Sequence, residues 1–327
     1  MEDFLVNREM RVVIRDKKSN WCKVKSSMPQ GSVLAPIMFA LYVNDIEEGL
    51  ESYINLFADD AKLLKRIQGK EDNEILQRDL DKIWNWSQTW EMEFNIKKCS
   101  VLEFGKSRRI TNDYKLGNDA IKKSKMEKDL GVTICDSMLP DKHINRIVGE
   151  TYNQLRNIRM AFLYMDEEMV RKLIVSMVRP RLEYAAPVWS PSRKMDIKRL
   201  ERIQRAATKL APSLKNKPYE ERLERLNLPT LEQRRERGDM IAIFRIMKGI
   251  EDLDRDDLVT WDTRDTRGHG RKIKKVTYRR NVKKNSFPHR AIEMWNGLSS
   301  EVVLSETISQ FKIKLDKERF RDGTTRA

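Results

Sequence analysis

Apolar residues recur along this chain with two different periods, and the change between them divides it. Up to about residue 135, short alternating runs dominate. Met10-Arg11-Val12-Val13-Ile14 is β-rich, Asp16 to Asn20 is turn-forming, and Trp21 to Lys25 alternates apolar with polar, so residues 10–27 predict a hairpin. Pro29 and Gly31 break its second strand. Leu34 to Ile46 predicts a helix, because Ile37, Phe39, Leu41 and Tyr42 supply a broad apolar surface. Residues 53–66 predict two strands around a tight turn, with Ile54, Leu56 and Phe57 before Asp59-Asp60 and Leu63-Leu64 after it. Residues 71–90 predict an amphipathic helix, since Leu76, Leu80, Ile83, Trp84 and Trp90 fall near helical spacing with charges between them. Short strands are expected at 91–94 and 100–104, and a further strand pair within 113–135.

Near Pro140 the period becomes helical. Helices are predicted over 141–163, 166–185, 194–211, 218–226 and 230–249, separated by Pro180, Pro187, Pro191, Pro212, Pro218 and Pro229. Residues 251–285 read as a polar, charged connector. Two short helices, near 286–298 and 305–320, close the chain. The fold class expected from this order is α+β.

Charge sharpens the division. The 327 residues carry a formal net charge of +15. Residues 1–140 hold 23 basic and 23 acidic side chains, whereas residues 141–327 hold 42 and 27, so the helical part carries the whole excess. Such an excess favours a polyanionic partner, most simply nucleic acid, over a merely solvated basic surface. No run of 18 or more apolar residues occurs, which argues against a membrane span. Met1-Glu2-Asp3-Phe4-Leu5 lacks the basic and apolar regions of a secretory signal. Cys22, Cys99 and Cys135 are scattered, without zinc-ligand spacing, and fit reduced thiols inside a cell.

Two phrases carry candidate chemistry. In Phe57-Ala58-Asp59-Asp60, adjacent carboxylates lie between apolar strands, where ionised groups are costly unless paired with cations. Nucleotidyl transfer uses such a pair, because two Mg²⁺ ions roughly 4 Å apart clamp the attacking and leaving oxygens. Upstream, Ser26-Ser27-Met28-Pro29-Gln30-Gly31 bends the chain into a helix. Gly31 permits close backbone approach, Gln30 offers an amide to a base or sugar edge, and the following helix N-terminus favours phosphate. A third feature is the segment Arg264 to Lys284. It holds Arg264, Arg267, Arg271, Lys272, Lys274, Lys275, Arg279, Arg280, Lys283 and Lys284, with Asp265 its only acid. It suits a phosphate backbone, with stacking from Tyr278 and with His269 interleaved, or else a disordered solvated connector. The Trp84, Trp86 and Trp90 cluster reads as core rather than as a stacking platform.

In this order the two phrases, with Leu34-Ala35-Pro36 and Tyr42-Val43-Asn44-Asp45 between them, resemble the palm motifs of reverse transcriptases from LINE-like (non-LTR) retrotransposons. Phe94 to Cys99 resembles the motif that follows the catalytic hairpin, and Val101-Leu102-Glu103-Phe104-Gly105 resembles a primer grip. Lys128 to Val132, Val178 to Tyr184, Ala207 to Leu210, Arg237 to Met240, Thr266 to His269 and Trp295 to Leu298 resemble phrases found after the palm in jockey-like elements. Ser27 and Ala35 replace glycines common in the family.

The resemblance implies RNA-directed DNA polymerisation on an RNA template with a DNA primer and deoxynucleoside triphosphates. It implies a partial palm over 1–140, a helical thumb-like region over 141–250 and a basic carboxy-terminal region over 251–327. Asp59 and Asp60 would bind Mg²⁺ or Mn²⁺. Pro29, Gln30 and Gly31 would line the nucleotide site, with Phe57 and Ala58 beneath the primer end. Lys98 would protonate pyrophosphate, although spacing alone makes it a surface lysine. The family's third carboxylate has no counterpart, since Asp3 and Asp16 are the only aspartates in residues 1–26 and neither fits. The fingers and the amino-terminal endonuclease are also missing. The expectation is a truncated element copy with little polymerase activity alone, acting in the nucleus or in a cytoplasmic ribonucleoprotein, or else a non-catalytic nucleic-acid-binding remnant.

Overall fold

The computed structural model describes residues 7–24, 31–105, 112–251, 253, 258–262, 268–275, 277–278 and 280–320. The chain forms two compact units, one of residues 1–101 and 106–123, the other of residues 102–105 and 124–327. Helices and small antiparallel sheets make both, an α+β composition. Every sheet among the described residues has two strands, so the expected small antiparallel sheet is dispersed into separate pairs.

In the first unit, β1 (Glu9–Met10) pairs with β4 (Cys22–Lys23), and β2 (Val13–Ile14) pairs with β3 (Lys17–Lys18) inside them. The reversal falls at Arg15-Asp16, with Arg15 at φ 52°, rather than over 16–20. Helix α1 (Leu34–Tyr42) ends four residues short of the expected Ile46, but Val43 and Ile46 just beyond it are buried. The strands β5 (Tyr53–Phe57) and β6 (Asp60–Leu64) match expectation, as does helix α2 (Lys70–Thr89).

Residues 91–94 are not a strand. Glu91 takes φ 51° and the Met92 N–H reaches back to the Ser87 carbonyl (2.9 Å), a left-handed cap that ends α2 and turns the chain. A 3₁₀ turn (Ile96–Lys98) and β7 (Ser100–Leu102) follow. The hairpin of β8 (Lys115–Leu116) and β9 (Asp119–Ala120) lies on α2. There Gln77 exchanges two hydrogen bonds with the Lys115 backbone (3.0 Å each), and the Tyr114 hydroxyl donates to Asn73 Oδ1 (2.7 Å). Gly117 sits at φ 61° so close to the Trp84 ring that a Cβ would come within 2.6 Å of it. The tryptophan cluster is structural: Trp86 Nε1 donates to Asp45 Oδ1 (2.8 Å), and Tyr42 packs edge-on against Trp86 and Trp90.

Asp79 fixes this unit. It lies on the inner face of α2, fully buried, and accepts the backbone N–H groups of Glu51 (3.1 Å) and Ser52 (2.8 Å) at the foot of β5. Lys82 Nζ stands 3.3 Å away. Burial pushes the Asp79 carboxyl up, but hydrogen bonds from residues 51, 52 and 82 outweigh it and leave the carboxyl below its usual value.

Beyond β10 (Lys122–Ser124), the second unit holds two hydrophobic clusters. In the first, the hairpin β11 (Met126–Asp129) and β12 (Val132–Cys135) lies against α3 (Asp141–Ala161). The predicted helix 166–185 is α4 (Glu167–Leu173), capped by the Asp166 side chain on the Met169 N–H, then a π-helical turn (Ile174–Val178), then α5 (Arg179–Glu183). After α6 (Ala186–Trp189) and α7 (Lys194–Ala207), α8 (Tyr219–Arg225) completes the cluster. A buried polar chain crosses it. Arg179 donates to Gln204 Oε1 (3.2 Å) and to the Pro229 carbonyl (2.9 Å), and Gln204 donates to the Tyr219 hydroxyl (3.1 Å). Burial lowers the Arg179 guanidinium to about 10.

Helix α9 (Leu231–Met247) opens with a Thr230–Gln233 capping box and runs into the second cluster. There it meets α11 (Ile292–Asn296), α12 (Ser300–Val303) and α13 (Ile308–Arg319), with Trp295 fully buried and Phe244 stacked on Phe311 at 4.2 Å. The short helix α10 (Asn281–Asn285) precedes them.

Two measurements probe these cores. Asp79→Ala should destabilise the first unit by about 2–3 kcal/mol, since the buried Ser52 N–H and the part-buried Glu51 N–H lose a charged acceptor. Hydrogen exchange at the β5 and β6 amides should accelerate accordingly. Because the Asp79 carboxyl is depressed in the fold, its contribution is present above the ordinary carboxylate range and is lost as pH falls through it.

The second concerns His143, which is 1 % exposed. Its Nδ1 accepts the Thr133 N–H (3.1 Å), and its ring lies 4.9 Å from Trp189. Burial, with Arg146 beside it, pushes His143 down from 6.5 to about 4. The unfolded chain therefore binds a proton between those values that the fold refuses. Stability should be level above about pH 7 and fall by up to about 3 kcal/mol on acidification to about pH 4. His143→Asn should flatten that part of the urea-midpoint profile.

Candidate functional site

The Asp59-Asp60 pair sits at the tip of a hairpin that local chemistry fixes. β5 and β6 pair from Tyr53↔Leu64 to Phe57↔Asp60, leaving Ala58 and Asp59 as a two-residue loop. Ala58 takes φ 50° and Asp59 no positive φ, so a left-handed first loop residue closes the two-residue reversal. A non-glycine residue in that position costs of order 1 kcal/mol. Asp59 opens the return and Asp60 begins β6, so the two carboxylates leave the backbone at consecutive positions of a tight reversal.

Both aspartates are exposed, as are Phe57 (62 %) and Ala58. This corrects the expectation that apolar strands enclose the carboxylates. The hairpin is a sheet of its own, and no third strand bonds to either edge among the described residues. Tyr53, Leu56 and Leu64 are exposed beside it. The hairpin is anchored at its foot by Asp79, which motif reading missed. Its signal was present, since an acid stands in the apolar stripe formed by Leu76, Leu80 and Ile83.

Gly31 has φ 83°, and an added Cβ would meet nothing within 4 Å, so the backbone angle demands glycine there, not crowding. Ser32 Oγ accepts the Ala35 N–H (3.1 Å) and caps α1. Pro29 and Gln30 lie outside the described residues. Lys98 is exposed at the end of the 3₁₀ turn Ile96–Lys98. Among the described residues no hydrogen bond or ion pair joins its side chain to Asp59 or Asp60.

The pair supplies hard oxygen donors, which suits Mg²⁺ held by one or two carboxylates, with water and substrate phosphate completing the shell. No group of three or more His, Cys, Asp or Glu side chains placed to share a metal ion occurs among the described residues. Asp16 is exposed in the β2–β3 turn, and Asp3 lies outside the described residues.

The described residues of the basic segment are tied to the rest of the unit rather than merely solvated. The Asn296 side chain clamps the Ile273 backbone through both its atoms (2.9 and 2.8 Å), and Trp261 bridges Ile273. Trp295 Nε1 donates to the Arg271 carbonyl (2.9 Å). His269 is 2 % exposed and meets the Trp295 carbonyl through Nε2 (3.1 Å), which removes it from any stacking role. Tyr278 is engaged as well, its hydroxyl 2.7 Å from His289 Nδ1 and its ring on the imidazole. Arg271, Lys274, Lys275, Arg280, Lys283 and Lys284 are exposed, with Lys275 paired to Glu293 (3.3 Å), and Lys272 is half-buried. Arg264, Arg267 and Arg279 lie outside the described residues. No helix among the described residues is long and apolar enough to cross a membrane.

Residues 1–134 match the family described as reverse transcriptase (RNA-dependent DNA polymerase). The chain is 22% identical over 218 residues to the RNA-directed DNA polymerase from mobile element jockey of Drosophila melanogaster, covering 62% of this chain and 24% of that protein. It is 23% identical over 223 residues to the probable RNA-directed DNA polymerase from transposon X-element of the same species, covering 64% and 24%. It is also 23% identical over 253 residues to the probable RNA-directed DNA polymerase from transposon BS, covering 71% and 27%. The chain thus spans about a quarter of the length of the curated relatives it matches. No solved structure matches it. The hairpin-borne aspartate pair and the Gly31 turn thus fall within residues 1–134, the part of this chain that is similar to the reverse transcriptase family and to the polymerases of jockey-like mobile elements.

Proposed function

We propose that this chain serves RNA-directed DNA polymerisation, supplying the metal-binding turn of a palm (residues 1–140), a helical thumb-like region (141–250) and a basic carboxy-terminal region (251–327). The observation that carries the reading is the aspartate pair at a two-residue hairpin tip, preceded in the chain by the Pro29-Gln30-Gly31 phrase and a capped helix. Asp59 and Asp60 would hold Mg²⁺ or Mn²⁺ as carboxylates. The bound ion supplies charge neutralisation at the attacking 3′-oxygen and the leaving pyrophosphate.

The protein's own groups do the positioning. Phe57 and Ala58 would carry the primer end, because the two-residue loop places them beside the carboxylates. Pro29, Gln30 and Gly31 would line the nucleotide site, Gly31 through close backbone approach and Gln30 through its amide. Lys98 would give a proton to pyrophosphate as it departs. The exposed cations of residues 271–284, with Arg264 and Arg267, would follow the phosphates of an RNA–DNA hybrid, which makes binding salt-dependent. The place of action would be the nucleus or a cytoplasmic ribonucleoprotein.

A second reading has its own observation. The aspartates are exposed, with no further acid grouped near them among the described residues, so charge stabilisation by this chain alone would be weak. The chain would then bind nucleic acid without chemistry.

Primer extension by the purified chain on an RNA template with Mg²⁺ separates the two. The polymerase reading expects extension that Asp59→Ala or Asp60→Ala abolishes, a loss of at least about a hundredfold. Absence of extension, with duplex binding that weakens steeply between 50 and 200 mM salt, leaves the binding-only reading. Absence of both overturns the proposal.

A further inference from the structure

Outside the polymerase motifs, α7 carries a stripe of cations that helix stability does not explain. Lys194, Lys198, Arg202 and Arg205 are all exposed on it, and exposed Lys209 follows four residues on. At about 100° per residue the four helical positions fall within an arc of about 80° and extend along about 17 Å of the helix. Lys194, Lys198, Arg202 and Lys209 make no hydrogen bond or ion pair through their side chains among the described residues. Arg205 lies over the Tyr219 ring at 4.1 Å. The helix has two acids, and both are engaged elsewhere. Asp196 is buried and faces Arg199 (3.5 Å), and Glu201 accepts the Leu231 N–H (3.0 Å) and the Tyr219 hydroxyl.

Other cations of this unit are placed differently. Arg146 pairs with Glu150 on α3, Lys172 with Glu168 on α4, and Lys217 with Glu221 at the start of α8, each across four residues. On α7 the four-residue neighbours are like-charged, Lys194 with Lys198 and Lys198 with Arg202, an arrangement that destabilises a helix. Lys194 also stands in the first turn, where the helix dipole disfavours a cation. A partner that supplies anions in a line relieves both.

The form of the stripe selects that partner. Docking on a membrane surface requires apolar side chains to enter it, and α7 exposes only Met195 beside the cations. Single-stranded nucleic acid is held by aromatic side chains on which its bases stack. No aromatic residue lies on α7, and Tyr219, under Arg205, is buried. A double helix needs no such platform, because its bases stack on one another. It also presents dense charge, one phosphate per about 1.7 Å of axis.

We propose that the α7 stripe docks a nucleic-acid double helix through its phosphates, without regard to base sequence. The stripe lies outside residues 1–134 and apart in sequence from the basic segment 264–284. Docking there needs neither metal ion nor nucleotide, so it stands or falls separately from polymerisation.

The test is fluorescence-anisotropy titration of the full chain with a short labelled duplex, without divalent metal, between 50 and 200 mM salt. The variant combining Lys194→Gln, Lys198→Gln, Arg202→Gln and Lys209→Gln keeps helix-forming side chains and leaves Arg205 on Tyr219. It should make the plot of log K against log salt shallower by about 3 to 4, since each lost phosphate contact removes about 0.9. Across that range the wild type should lose about a hundredfold more affinity than the variant. A control combining Arg15→Gln, Lys17→Gln, Lys18→Gln and Lys23→Gln removes equal charge from the first unit and should change the slope by less than about 1. The matching single strand should bind more weakly than the duplex. Equal slopes in the wild type and the α7 variant, an equal change in the control, or no duplex binding by the wild type overturns the proposal. So does a single strand or polyglutamate that binds as tightly as the duplex and loses as much in the α7 variant. If the combined variant does not fold, Lys194→Gln with Lys198→Gln, and Arg202→Gln with Lys209→Gln, decide, each expected to give about half the change.

Discussion

Helix α9 is the element on which the larger unit depends, because it belongs to both hydrophobic cores. Leu231, at its start, packs into the first cluster, while Met240, Ile243, Phe244 and Met247 fill the second. A helix shared in this way must bury different faces at its two ends. The residues at the crossover are then covered whatever their polarity, and here they are Arg235 and Asp239. Buried charge on such a helix is tolerated only with compensation. Asp239 has it in Arg290, whose guanidinium also donates to the Pro187 carbonyl (2.9 Å) and so ties the two clusters together. Even so, burial leaves the Asp239 carboxyl above its usual value. Arg235, one turn earlier, makes no direct ion pair among the described residues and is offset at longer range by Glu201, Glu232 and Glu183.

The smaller unit follows a different economy. Its buried apolar set includes Val43, Ile46, Ile83, Tyr114 and Leu116, whereas many of its larger apolar groups remain exposed. Polar anchors therefore carry much of the definition. Asp79 holds the foot of β5, Asn73 and Gln77 hold the segment around Tyr114 and Lys115, and Asp45 receives the Trp86 indole. Val33, Ile37 and Leu41 stand exposed at four-residue intervals on and beside α1, so the apolar character that predicted this helix is not consumed by packing within the described residues.

Much of this was legible because periodicity and punctuation agreed. Helix α2 and the helices from Asp141 to Met247 fall close to their predicted spans, since their apolar spacing, the Asp166 and Thr230 caps and the intervening prolines point the same way. The aspartate hairpin was legible from its alternation and turn. What was not legible depended on partners distant in sequence. Residues 91–94 look strand-like, yet a left-handed cap at Glu91 sets their path. The π-helical turn before Pro180 leaves no periodic trace. The segment around Ile273 reads as a charged connector because one apolar residue among lysines is a faint signal. Its burial depends on Asn296 and Trp295, more than twenty positions away. The same holds for Arg235, an ordinary helix-surface arginine by spacing, which the fold buries almost completely.

The exposure of Asp59 and Asp60 bears directly on what the hairpin can do. Carboxylates at an open tip attract cations through water, where two unit charges 4 Å apart interact by only about 1 kcal/mol. The electrostatic stabilisation that phosphoryl-transfer chemistry needs arises when the same groups sit in a water-poor cleft. Turn geometry and the Asp79 anchor fix where the carboxylates leave the backbone, but they do not lower the dielectric around them. That lowering must come from surfaces packed over the hairpin, and the exposed side chains of Tyr53, Leu56, Phe57 and Leu64 are the apolar faces such surfaces would cover. In this hairpin, then, the placing of the two carboxylates is set locally, and the electrostatic strength they can exert is set by whatever excludes water from them.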